Sequence, residues 1–242
     1  LWVQTAAASP VVLHQGDEDA VRSAVADAAN VAPGTLSMTN FDVFRSTTAP
    51  KWSGQIELTP CAGDRISMKQ VADDVAAAES RLMYMELDKA NTGLVSAQEK
   101  LVCVDSVLDA SVASRIGFLR GVISTEGEKG NDAWKSFTLA ARFDPAIEWD
   151  DQYPTDGRGT LVGAKEALAS SDRIDVGVVP SFSATEDSSQ LFLNAQPITA
   201  QRDRFTAAPG TNLLQLQTDD GVVGFNVEVE AESRPELFLP QL

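Results

Sequence analysis

With 242 residues, 43% of them hydrophobic, the chain is long enough for one large domain or two modest ones with true cores. Its 35 acidic against 19 basic residues leave a formal net charge of −16, which repels the phosphate backbone that nucleic-acid binders must neutralise and disfavours anionic membrane surfaces. Two cysteines and one histidine fall short of the roughly four ligands of a Cys/His zinc site, and no run approaches the roughly 20 apolar residues that span a bilayer.

In the opening stretch, Ala6 and Ala8 have the spacing of a signal-peptide cleavage site, and Leu1 fits a mature N-terminus equally well. Val11-Val12-Leu13 predicts a short strand ending at His14, which reads as a surface or half-buried residue rather than a catalytic base. Residues 17–30 are Ala-rich, with Val21 and Val25 at helical spacing and Asp17, Glu18 and Asp19 at the start. They predict a helix closed by Pro33-Gly34. Residues 35–39 and 55–59 alternate as strands do.

The middle of the chain carries helical periodicity. Val71, Val75, Ala78, Leu82 and Met85 paint one face of a first helix, and Leu87, Ala90, Leu94, Ala97 and Leu101 that of a second. Val112, Ile116, Leu119 and Ile123 predict a third, stopped by Gly127 and Gly130. Ala133, Phe137 and Ala140 predict a fourth, stopped at Phe143-Asp144-Pro145, and Leu161, Ala164 and Leu168 a fifth. Connections this short require antiparallel neighbours. The last third changes to short β-type runs over 174–180, 190–194, 212–217 and 222–230, separated by turn chemistry at 181–189, Ala208-Pro209-Gly210 and Asp219-Asp220-Gly221. Their spacing suggests an antiparallel sandwich. Leu237, Phe238 and Leu239 read as a last edge strand or a docking tail.

Gly121, Ala133, Phe137, Ala140 and Pro145 fall at offsets that resemble a tetratricopeptide repeat: small residues for close helix approach, a Phe filling the gap, a Pro ending the unit. Ala78, Ala90, Leu94 and Ala97 form a weaker copy, and Gly117 stands where that family has its first aromatic. Residues 191–197 and 208–214 resemble the strand-turn elements of PEGA-like β-domains, without the Pro-Glu-Gly-Ala signature itself. The combination is similar to exported envelope proteins of Gram-negative bacteria. It implies protein binding or scaffolding and brings no catalytic residues.

Cys61 precedes the first repeat helix and Cys103 ends the second, at the same end of an up-down hairpin. A disulfide between them is therefore expected, and with it an oxidising compartment; the alternative is two buried thiols. The segment Glu148-Trp149-Asp150-Asp151-Gln152-Tyr153-Pro154-Thr155-Asp156 is the candidate binding loop, mixing carboxylates with aromatics as a glycosidase cleft or Ca²⁺ loop does. The alternative is a solvated inter-helix loop whose aromatics lie on the helical layer and whose Asp156 caps the fifth helix. Gly157 and Gly159 lack the third glycine of a nucleotide fingerprint. Arg202-Asp203-Arg204 reads as a turn, and Phe118, Phe137 and Phe143 as core.

The expectation is an α+β chain: a mixed segment over 1–63, a tetratricopeptide-like helical domain over 64–171 and a β-sandwich-like domain over 172–242. Its expected role is a non-catalytic, exported or periplasmic scaffold for a protein partner. It needs no cofactor, no metal and no nucleic acid, and self-association is open to it. The rival from another class is a hydrolase or a carbohydrate- or Ca²⁺-binding module using the 148–156 loop.

Overall fold

Three of the helices begin where a side chain accepts the unpaired N–H groups of the first turn. Asp17 caps α1 (Glu18–Ala29) by accepting from the Asp19 and Ala20 N–H groups. Ser67 and Gln70 form a reciprocal capping box at α2 (Met68–Met83), and Asp109 accepts from Ser111 and Val112 at α4 (Ala110–Glu126). Between them runs α3 (Leu87–Lys100), and α5 (Gly130–Phe143) and α6 (Arg158–Ser170) follow. The computed structural model describes residues 11–14, 17–33, 36–40, 55–179, 190–198, 204–231, 233 and 235–239. The molecule is of mixed α+β class.

The chain divides into two units, Leu1–Lys51 and Trp52–Leu242. In the first, β1 (Val11–His14) and β2 (Ser37–Asn40) pair in parallel, with α1 as the crossover between them. The helix ends sooner than Pro33-Gly34 suggested. Asn30 turns left-handed (φ 51°) and its N–H closes onto the Ala26 and Asp27 carbonyls.

In the second unit, successive helices pack on one another from α2 to α6. Two connections are alike in detail. At Tyr84-Met85-Glu86, Met85 is left-handed (φ 60°), and the Glu86 N–H donates to the Arg81 carbonyl at 2.9 Å and the Met85 N–H to Leu82 at 2.8 Å. At Gly127-Glu128-Lys129, Glu128 is left-handed (φ 56°), and the Lys129 N–H donates to Ser124 at 2.8 Å and the Glu128 N–H to Thr125 at 3.0 Å. The offset that carries Met85 onto Glu128 also carries Ala78 onto Gly121, Ala90 onto Ala133, Leu94 onto Phe137 and Ala97 onto Ala140, all of them buried. One further step carries Gly121 onto the buried Ala164 of α6. The helical layer thus repeats itself at a spacing longer than that of a tetratricopeptide repeat. Gly130 does not stop the third helix but opens α5, because Gly127 and Glu128 already complete the turn.

Two sheets follow. One has the order β4-β10-β9-β6-β7 and is antiparallel throughout: β4 (Thr59–Pro60), β6 (Gln190–Leu193), β7 (Gln196–Pro197), β9 (Gly210–Thr218) and β10 (Gly221–Val229). The other has the order β3-β11-β5-β8: β3 (Gln55–Ile56), β5 (Ile174–Val179), β8 (Arg204–Ala207) and β11 (Glu236–Phe238). It is mixed, because β11 runs parallel to both of its neighbours. This corrects the expectation of antiparallel strands alone, and that of an edge strand or docking tail at 237–239. The strand β11 is interior to its sheet and Leu237 is fully buried, since residues 55–56 supply a partner on its far side. Arg204 opens β8 rather than a turn; Arg202, Asp203 and the 181–189 segment lie outside the described residues.

The division of the chain falls elsewhere than at 63 and 171, and β9 is the reason. Its burial is continuous over Asn212–Leu216. Leu214 and Leu216 join Val176, Val178, Phe225, Val227 and Leu237 in a core shared by the two sheets. On the opposite face Leu213 belongs to the helical core, together with Phe118, Phe137 and Leu161. The fully buried Gln215 accepts from the Leu108 N–H at 3.0 Å and donates to the Ser106 carbonyl at 3.0 Å. On β10, a Cβ at Gly224 would lie 2.4 Å from the Val102 carbonyl oxygen. The helical region, the five-stranded sheet and the four-stranded sheet are successive layers of one unit.

Candidate functional site

The helix-packing residues named from the sequence gather along the interior of the helical layer. Ala90, Leu94, Ala97, Ala133, Phe137 and Ala140 are buried, whereas Pro145 sits exposed in the turn after α5. The contact between α4 and α5 is closest at two glycines. A Cβ at Gly117 would lie 2.6 Å from the Ala140 nitrogen and 2.7 Å from the Ser136 oxygen. At Gly121 it would lie 2.3 Å from the Phe137 ring. At Gly117 the two backbones themselves meet, and at Gly121 the Phe137 ring fills the space that a side chain would need.

Cys61 and Cys103 are joined as a disulfide with Cα atoms 4.9 Å apart. The bridge ties the residue after β4 to the turn after α3. Beside it Ile66 and Val104 form a parallel bridge, with the Ile66 N–H donating to the Cys103 carbonyl at 3.1 Å.

The 148–156 loop turns its aromatics inward and scatters its carboxylates. Trp149 packs edge-on to Phe118 at 5.3 Å between ring centroids and tilted to Phe137 at 5.9 Å. Tyr153 is buried against Phe118 at 5.7 Å. Asp150 pairs with Arg115 at 2.8 Å, while Glu148, Asp151 and Asp156 are exposed. Among the described residues no His, Cys, Asp or Glu cluster has the form a metal ion needs. Asp156 caps nothing: it lies within a short 3₁₀ turn, Thr155–Gly157, and α6 starts from Gly157 without a side-chain cap. A Cβ at Gly157 would lie 2.9 Å from both Trp149 and the Thr125 hydroxyl oxygen, so that turn is pressed onto the helical layer.

Sequence periodicity missed the ionic knot under this loop. Arg115 on α4 is paired with Glu79 on α2, and the Tyr153 hydroxyl donates to the same Glu79 carboxylate at 2.7 Å. The guanidinium also lies over the Phe118 ring (5.1 Å) and the Tyr153 ring (5.4 Å). Burial and the Glu79 carboxylate both push the Tyr153 hydroxyl above the ordinary tyrosine range. Burial opposes ionisation of Asp150, but the Gln152 N–H and Arg115 outweigh it and hold that carboxyl below its ordinary range. These groups satisfy one another across three elements, so the knot is a structural tie.

A second feature lies on the face formed by α3, α4 and α5. A cavity of about 720 Å³ opens there, with Gln98 from α3, Arg120 and Ile123 from α4, and Trp134, Lys135 and Leu139 from α5 on its walls. Arg120 donates to the neutral Gln98 amide oxygen, and its Nε is buried with no acceptor. Arg142, at the rim toward the sheet, donates to the Ala208 carbonyl (3.2 Å), the Pro209 carbonyl (2.7 Å) and Asn212 Oδ1 (2.9 Å). Burial lowers the pKa of both guanidinium groups. Ile123 belongs to the apolar stripe of α4, but the other wall residues lie outside the stripes that periodicity marks.

Comparison with protein-family models, curated proteins and solved structures finds no match to this chain. Among the described residues no helix is long and apolar enough to cross a membrane.

Proposed function

We propose that this protein is a non-catalytic binding subunit whose helical layer, tetratricopeptide-like in its paired helices, presents the face over α3, α4 and α5 to a protein partner. The observation that carries this reading is the cavity walled by three successive helices, two of which, α4 and α5, the Gly117 and Gly121 contacts hold at a fixed separation. A rigid concave face spanning several helices is the binding surface that repeat architectures offer. The paired sheets read as the PEGA-like, sandwich-like part that covers one side of the layer and replaces the capping helix such arrays need. The Cys61–Cys103 bridge supports an exported or periplasmic setting, where disulfides persist. The 148–156 loop argues against a carboxylate-based hydrolase here, since Asp150 is committed to Arg115 and its neighbours point into solvent.

The test is chemical crosslinking of the disulfide-bonded protein in its native cells, followed by mass spectrometry and a solution mass measurement. Links from Lys129 and Lys135 to one recurring partner support the reading. Links only between copies of the chain, with a matching rise in mass, would instead make it a self-assembling structural subunit.

A further inference from the structure

We propose that the groove over α3, α4 and α5 takes an extended acidic segment of its partner, whose carboxylates meet Arg120, Lys129 and Lys135 and whose aliphatic side chains rest on Ile123, Trp134 and Leu139. This rests on the binding role above and specifies the chemistry of the ligand. The chain as a whole carries −16, yet Arg120, Lys129, Lys135 and Arg142 line this cavity against only Asp88 and Asp132.

Elsewhere in this unit several cations find carboxylates: Arg115 has Glu79 and Asp150, Lys100 has Asp74, Lys69 has Asp73 and Lys89 has Glu86, while Arg81 and Lys165 donate to single backbone carbonyls outside the groove. Among the described residues Arg120, Lys129 and Lys135 have no ion pair, although acidic residues outnumber basic ones by 35 to 19. Arg142 is held by two backbone carbonyls and an amide oxygen, all neutral, so its charge is positioned but not cancelled. The charges facing Arg120 are those of Asp132 and Glu99, neither within ion-pair distance. A half-buried guanidinium with one neutral partner has given up water without gaining a counter-charge, and an arriving carboxylate restores that loss. Concave walls concentrate such a field. Nucleic acid, the other polyanion, is repelled by the rest of the surface, whereas a short acidic segment needs only the groove. Exposed Trp134 and half-buried Ile123 and Leu139 add apolar contacts between the charges.

The experiment uses the full disulfide-bonded protein and two fluorescein-labelled peptides, one a Glu-Leu repeat and the other the matching Gln-Leu repeat, read by fluorescence polarisation at low salt. The Glu-Leu peptide is expected to bind about tenfold more tightly, and added salt to erode that advantage. R120Q and K135E are each expected to weaken it about fivefold, while K69E, on the outer surface of α2, leaves it unchanged. Lys135 is exposed, so K135E keeps the test decisive should R120Q fold poorly. Equal affinity for both peptides, with K135E without effect, overturns the acidic-segment inference and leaves the binding role standing. Binding of neither peptide overturns both. Self-association of the chain that the Glu-Leu peptide displaces also overturns the inference, because a second copy is then the occupant.

Discussion

Gly117 leaves no room for even one methyl group, since the Ala140 nitrogen and the Ser136 oxygen are backbone atoms that cannot step aside. Gly117→Ala is therefore expected to lower the unfolding free energy by about 1–3 kcal/mol, the ordinary cost of overpacking, as measured by urea denaturation. Gly159 in α6 supplies the contrast. Nothing lies within 4 Å of a Cβ there, so Gly159→Ala is expected to stabilise the protein by up to about 1 kcal/mol by restricting the unfolded chain. An equal loss at both positions would remove the close helix contact as the cause. The Asp150 carboxyl gives a pH signature. It is held below its ordinary range in the folded protein, so its stabilisation is complete above the unfolded value of about 3.9 and disappears as pH falls through the lower folded value. Asp150→Asn is expected to melt below the parent at neutral pH, with the gap closing in acid below about pH 4. A gap that persists unchanged in acid would show that the charge of Asp150 is not what ties the loop to Arg115.

The helices were legible because each carries an apolar stripe of three-four spacing. Gly127 and the Phe143-Asp144-Pro145 run mark ends that the structure keeps within a residue or two. What the stripe cannot reveal is which polar residues on its edges meet. Glu79 and Arg115 lie on different helices and Tyr153 in a loop, so their junction arises from packing alone. The alternation over 55–59 marked strand character, but not that the run divides into two-residue strands, β3 and β4, that join different sheets; β7, also two residues long, shows no alternation of its own. The disulfide was legible from hairpin geometry. It closes 42 residues of chain, and in the chain-entropy account it is worth about 4 kcal/mol. Replacing Cys61 and Cys103 together by Ala is expected to lower stability by up to that amount. No change on denaturant titration would show that the bridge contributes nothing to folding.

At the scale of the whole second unit, the two expected domains are joined by a built interface rather than a linker. Gln215, Asn212, Arg142 and Gly224 place polar bonds and backbone contacts between helices and sheet, and Leu213 crosses into the helical core. The unit is expected to unfold in one transition seen alike by helical circular dichroism and by β-sheet infrared bands. Gln215→Leu, which strands the Leu108 N–H and the Ser106 carbonyl, is expected to cost about 1–3 kcal/mol for the groups left unpaired. It should move both signals together, and separate movement would mean that the layers are independent domains. This fusion also shapes the proposed groove, since Arg142 holds its place at the rim through bonds to the turn before β9.

The central claim is that the face over α3, α4 and α5 is where a partner sits. Site-specific photocrosslinking tests it most directly, with the crosslinking residue placed in turn at Lys135, Thr138 and Leu139 on the groove and at Lys69, Met83 and Glu166 away from it. The account predicts adducts with a common partner from the groove positions and none from the others. Adducts spread evenly over both sets, or confined to the distant positions, would contradict it.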